Sequence, residues 1–171
     1  PLDKDNDLTS IAGSSKQALG EVVYLKGVVK DNSCKPVAGA IVEIWQACDT
    51  GKYNHSRDPN DAKLDPNFQY WGRAITNEAG EYIFKTIKPG EYQATGTWRR
   101  PPHIHLKVHL RGYRELISQV YFMENQELNS KDRILMGLGA EDQKNAIVEF
   151  KKSAKTGKRI GAFNINLESL L

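Results

Sequence analysis

Alternation with a period of two governs this chain. In HIHLKVHL, residues 103–110, Ile104, Leu106, Val108 and Leu110 share one parity, while His103, His105 and His109 share the other. Such a pattern describes a strand with one face against a core. EVVYLKGVVK (21–30), AIVEIWQA (40–47), WGRAITN (71–77), EYIFKTI (81–87), LISQVYF (116–122), AIVEFKK (146–152) and AFNINL (162–167) complete the set of strand-like runs, with turn residues between them. The turn DNSCKPVAG predicts a hairpin between the first two of these runs, and Glu78-Ala79-Gly80 predicts another between the next two. Helix is scarce: AEDQKNAI (140–147) reads as a turn or two before a strand. The expectation is an all-β fold, an antiparallel β-sandwich with long active-site loops and little helix.

At 171 residues the chain is long enough to bury roughly 70% of its unfolded surface, so it needs no disulfide or metal merely to hold together. The expected division is an extended polar arm over 1–19 and a single β-sandwich domain over 20–171. Lys and Arg number 24 against 21 Asp and Glu. A net charge of +3 is too small to argue for nucleic acid as a partner. The densest basic run, KKSAKTGKR (151–159), lacks interleaved aromatics and reads as a solvated hairpin tip. No run approaches the ~20 apolar residues of a membrane helix, so no membrane partner is expected. Cys34 and Cys48 fall at opposite ends of one predicted strand, too far apart to bridge, which predicts free thiols. No signal-peptide pattern is present. A cytoplasmic location is the expectation, with an exported and processed form as the alternative because the chain starts at Pro1.

The longest irregular stretch runs over 48–70, and loops of that length in compact domains are usually functional or disordered. A site is expected there. Further along, His103 and His105 sit two apart on a strand, with Cα atoms roughly 6.5–7 Å apart on one side. That spacing lets two imidazoles reach one metal ion at about 2 Å per bond. His109, roughly 13 Å beyond His105, is out of reach of the same ion. The competing reading is a pair of exposed strand histidines. Cys-X-X-Cys is absent, and the first carboxylate after the pair is Glu115, so acidic ligands fit poorly. Tyrosine remains. Its phenol has a pKa of about 10, yet a trivalent cation can strip that proton as zinc does from water. Tyr24, Tyr82 and Tyr121 lie inside strands and read as core; Tyr70 flanks a strand and Tyr113 lies in a turn. Tyr53, in DTGKYNH, and Tyr92, in KPGEY, lie in irregular backbone near glycines, where packing needs no aromatic.

Taken in order, DNDLT, VEIWQACDTGKY, LDPNF, GEYIFKTIKPGEY, RRPPHIH and LISQVYF resemble the signature of the intradiol ring-cleavage dioxygenases. The resemblance spans residues 5–168 and is strongest to the iron-bearing beta subunits of the protocatechuate 3,4-dioxygenase branch. It implies ferric iron, Fe(III), held by Tyr53, Tyr92, His103 and His105. It implies catalytic roles for Arg100, three residues before the first histidine, and for Gln119 in the LISQ stretch. Tyr92 joins them as the ligand that leaves on substrate binding and acts as a base. Trp45 becomes a substrate-pocket residue, Arg99 a solvated neighbour and Arg73 a structural ion-pair partner.

The activity implied is cleavage of a catechol-type ring, of the protocatechuate or catechol kind, with O2 to a cis,cis-muconate-type product. The partners implied are a small aromatic diol and O2, with a homo-oligomer or pairing with a homologous subunit. The chain departs from the family pattern in a shorter span between Tyr92 and His103, and in Ala94, where a tryptophan is usual. Both changes touch the pocket. The alternative reading is a catalytically silent β-sandwich subunit or a small-molecule binding module.

Overall fold

In strand β1 (Val22–Asp31) every second residue is buried, so that Val23, Leu25, Gly27 and Val29 face inward. Gly27 is required there: a Cβ would lie 1.9 Å from the Phe163 carbonyl oxygen. The computed structural model describes residues 5–170, so the first four residues of the expected arm and Leu171 lie outside the described residues. Along one edge of β1 runs β4 (Glu81–Ile87), antiparallel from Val22↔Ile87 to Val28↔Glu81. Along the other run β11 (Arg159–Ala162) and then β12 (Ile165–Leu167), both parallel to β1. The hairpin partner of β11 is β10 (Lys151–Lys152), and the basic run between them is the exposed tip expected.

The second sheet has the order β3 (Trp71–Ile75), β2 (Ile41–Trp45), β7 (His103–His109), β8 (Leu116–Phe122), β9 (Ile147–Val148). All its neighbours are antiparallel except β8 and β9. A ribbon of β5 (Tyr92–Thr95) and β6 (Trp98–Arg100) pairs with neither sheet. Three short helices, α1 (Gln126–Asn129), α2 (Arg133–Met136) and α3 (Ala140–Ala146), follow β8. The two sheets share one apolar cluster: Val23, Leu25 and Phe84 from the first meet Val42, Ile44, Ile104, Leu106 and Val108 from the second. Burial of each such side chain is worth roughly 1.5–3 kcal/mol. Leu8 joins this cluster, and its N–H bonds the Lys85 carbonyl.

The fold is mostly β with little helix, as expected, but its sheets are mixed rather than purely antiparallel. Both predicted hairpins are also corrected. After β1 the chain does reverse, with Asp31 N–H bonded to the Lys35 carbonyl and Val37 N–H to the Val29 carbonyl. Gly39, at φ +75°, then turns it away, and β2 enters the opposite sheet. The turn after β3 likewise docks on β1, where Val29 N–H bonds the Gly80 carbonyl, and β4 crosses back to the first sheet. Thr76 ties the two crossings together, donating to the Val37 carbonyl and accepting from Ala40 N–H. Turn chemistry reports a reversal but not which sheet receives the next strand.

Candidate metal centre

Because Ile104, Leu106 and Val108 of β7 are spent on the core, His103 and His105 face the other way. Cross-strand partners share a face. Trp45 of β2 and Gln119 of β8 both stand opposite His105, while Tyr121 stands opposite His103. Three strands thus build one polar platform. Trp45 lies flat on His105, ring centroids 5.0 Å apart and planes within 4°.

Two segments cover the platform, and glycines let them touch. A Cβ on Gly51 would sit 2.4 Å from the Glu91 carbonyl oxygen, and one on Gly90 would sit 2.3 Å from that of Asp49. Gly90 N–H also bonds the Cys48 carbonyl at 2.9 Å. The long loop therefore lies directly against the start of the ribbon, which brings Tyr53 to Tyr92. Asp58 fixes the loop locally, one carboxylate oxygen accepting from Tyr53 N–H and the other from Asn60 N–H. The outcome is a ring cluster: the centroids of Tyr53 and Tyr92 are 5.6 Å apart, those of His103 and His105 4.9 Å, and those of Tyr92 and His103 5.8 Å. Tyr53 Oη lies 3.3 Å from His103 Nε2.

The protonation of these rings follows from their surroundings. His103 Nδ1 lies 2.7 Å from the Pro101 carbonyl oxygen, which only accepts. Nδ1 therefore carries the proton and Nε2 the lone pair that faces the cluster. Burial, then the nearby Arg100 charge, lowers His103 to about 3, and the same two causes lower His105 to about 4. Both imidazoles are neutral donors at neutral pH. Burial and the neighbouring Tyr92 raise the Tyr53 phenol well above its ordinary value. No cluster of three or more His, Cys, Asp or Glu suited to a metal occurs among the described residues. A metal held here must take phenol oxygens beside the imidazoles. Two neutral imidazoles and two hard oxygen donors suit ferric iron, whose charge offsets the cost of ionising buried phenols.

Arg100 is 4% exposed and lies against this cluster. Its Nε donates to Asp132 Oδ2 at 2.9 Å, its Nη2 to Gln119 Oε1 at 2.7 Å, and its Nη1 lies 3.1 Å from His103 Nε2. Arg99, the next residue, points to the exposed side and pairs with Glu91. His109 lies apart, 3.4 Å from Glu43. The seven residues singled out in the sequence, Trp45, Tyr53, Tyr92, Arg100, His103, His105 and Gln119, thus occupy one linked site.

Other readings change. Tyr92 opens strand β5 instead of lying in irregular backbone. Tyr24 is half-buried beneath Lys158 rather than in the core. Tyr121 is buried but belongs to the site, its hydroxyl donating to Asp132 Oδ1 and accepting from Arg100. Arg73 lines a groove of about 790 Å³ with Lys26, Ile75 and Ile83 and has no carboxylate partner among the described residues. Asp132 went unnoticed. Asp before the run RILM is a helix-start signal, and Asp132 does cap α2, but its partner Arg100 is 32 residues away.

The family model described as Dioxygenase matches residues 2–169. The chain is 43% identical over 122 residues to the protocatechuate 3,4-dioxygenase beta chain of Burkholderia cepacia, covering 69% of this chain and 52% of that one. It is 29% identical over 153 residues to the protocatechuate 3,4-dioxygenase alpha chain of Pseudomonas putida, covering 88% and 73%. The chain spans about half the length of the first curated relatives it matches. Among solved structures, an intradiol ring-cleavage dioxygenase from Tetranychus urticae superposes with a TM-score of 0.69 at 25% identity, covering 98% of this chain and 88% of that one. The hydroxyquinol 1,2-dioxygenase of Pseudomonas putida DLL-E4, at 20% identity, shares the fold with a TM-score of 0.73, over 97% of this chain and 62% of that one.

Proposed function

The chain belongs to the intradiol ring-cleavage dioxygenase family, and on that footing we propose that it opens a catechol-type ring with O2 at a non-haem ferric site. The observation that carries this reading is the meeting of Tyr53, Tyr92, His103 and His105, drawn from three separate stretches of chain, beside a buried arginine. When bound, ferric iron supplies Lewis acidity to both oxygens of an ortho-diphenol and an electron-accepting centre through which the ring reacts with O2.

The protein's own groups do the rest. His103 and His105 offer neutral lone pairs, their rings held by the Pro101 carbonyl and the Trp45 face. Tyr53 sits on the pinned loop and serves as the fixed phenol donor. Tyr92, on the ribbon that pairs with neither sheet, is the phenol that moves aside and takes a substrate proton on Oη. Arg100, a permanent planar cation, stabilises the negative charge that grows on ring and oxygen. Gln119 spends its carbonyl on Arg100, which leaves its amide free to donate to substrate. The substrate is a small catechol or protocatechuate-like diol. A second copy or a homologous chain completes the assembly, a reading supported by relatives named as alpha and beta chains.

Iron-loaded protein is expected to be red from tyrosinate-to-iron charge transfer, and to consume O2 with catechol or protocatechuate. His103→Ala and His105→Ala should lose the iron, whereas His109→Ala should keep it. Metal analysis, the visible spectrum and an oxygen electrode decide the matter. Colourless iron-bearing protein, or no O2 uptake with any ortho-diphenol, sinks the proposal.

A further inference from the structure

A guanidinium carries five N–H hydrogens in a planar fork, and those of Arg100 are unevenly committed. Nε donates to Asp132 Oδ2, while Nη2 is shared among Gln119 Oε1, the Tyr121 hydroxyl at 3.0 Å and Asp132 Oδ1 at 3.3 Å. Nη1 alone is turned toward the four rings, through His103 Nε2. A fork gripped on Nε and Nη2 cannot rotate about its long axis, so the direction of Nη1 is set. The indole of Trp98 closes one side, its ring centroid 5.6 Å from the guanidinium carbon.

Asp132 is itself immobilised from outside this pair. It is 0% exposed, and its Oδ1 accepts from Ile134 N–H at 3.1 Å and Leu135 N–H at 2.9 Å as the N-cap of α2. Leu135 in turn packs with Tyr121 and Ala146. Capping does not require a carboxylate here, and the fold does not require the ion pair as a whole, although removing one partner alone is costly. Asn caps a helix about as well as Asp, and a buried ion pair is on average no more stabilising than well-packed apolar residues. A charge kept at that cost beside a reactive arginine points to its effect on the arginine.

From this geometry we infer that Asp132 is a positioning residue for the ring-opening reaction, clamping Arg100 so that Nη1 is the edge presented to substrate. The inference rests on the functional reading above and deepens it. Asp132 spends its carboxylate oxygens on Arg100, Tyr121 and the N–H groups of Ile134 and Leu135. It acts through Arg100.

The test is a double-mutant cycle joined to a signal from the iron-free protein. Asp132→Asn keeps a cap acceptor and removes the charge. It should retain iron and lower kcat roughly 10- to 100-fold, with KM changed far less. In an Arg100→Ala background the same substitution should cost nothing further, because the group it positions is gone. Tyr121→Phe, which leaves the cap untouched, should show a smaller loss with the same dependence on Arg100, and it serves if Asp132→Asn folds poorly. In iron-free protein the Arg100 Nε–H should give a shifted, slowly exchanging ¹H–¹⁵N resonance that moves to the exposed-arginine position in Asp132→Asn. An equal loss of kcat in both backgrounds, or an Arg100 resonance unchanged in Asp132→Asn, overturns the inference. If the wild-type protein turns over no diol, the functional reading falls, and the Arg100 resonance alone decides whether the clamp exists.

Discussion

Asp132 also carries a pH signature. Burial pushes its carboxyl up, but hydrogen bonds from Arg100, Leu135 N–H and Tyr121, with the Arg100 charge, outweigh burial and leave it below its ordinary 3.8. A carboxylate depressed in the folded state contributes stability that is whole above the unfolded pKa and is lost as pH falls through the folded one. Asp132→Asn should therefore cost roughly 3 kcal/mol at neutral pH. That gap should hold down to about pH 4 and shrink below it. Urea unfolding of both proteins from neutral pH into acid checks this; a gap indifferent to pH would mean the charge plays no part. Residues differ in how much of this the sequence displays. Strand parity places His103 and His105 together because alternation is local. Tyr121 obeys the same parity but reads as core, since buried tyrosines on strands are usually packing. Asp132 shows its cap and hides its partner, because nothing local links residue 132 to residue 100.

At the scale of elements, the loop over 48–70 and the ribbon meet through two missing side chains. Gly51 has φ +81° as well as a carbonyl where its Cβ would be. Gly51→Ala and Gly90→Ala should each destabilise by about 1–3 kcal/mol and weaken iron retention by pushing the Tyr53 and Tyr92 carriers apart. Gly157→Ala is the control. It shares a positive φ of +68° but has nothing within 4 Å, so it should lose about 1 kcal/mol of stability and no iron. Thermal melts with metal analysis separate the cases, and full iron content in Gly90→Ala would count against the contact. Strands and the α3 helix were legible because periodicity and short apolar runs are properties of neighbouring residues. AIVEFKK (146–152) is a partial case: it divides into β9 and β10, which join different sheets. Sheet membership depends on which distant edge is open, and that is not written in any one run.

For the whole molecule, a mostly β chain closes its two sheets on a shared apolar cluster, while its connections are not those that adjacency suggests. The first sheet is begun at Val22 and finished at Leu167. Residues Val23 and Arg159 pair in register, and Val28 N–H bonds Asn164 Oδ1 across 136 positions. A chain cut after Lys158 loses both parallel partners of β1 and bares that edge over most of its length. It is expected to lose cooperative thermal unfolding and to bind hydrophobic dyes. A sharp melt near that of the intact chain would show that β4 alone suffices. The platform under the four rings is assembled differently. Strands β7 and β8 are joined by a short turn, so they pair as soon as both exist. These two schedules matter while the protein is being made. At 5–20 residues per second, on the order of ten seconds separate the synthesis of β1 from that of its last neighbours. A nascent chain thus carries an unpaired strand edge from the synthesis of β1 until that of β11 and β12, an interval in which the edge is open to wrong pairing.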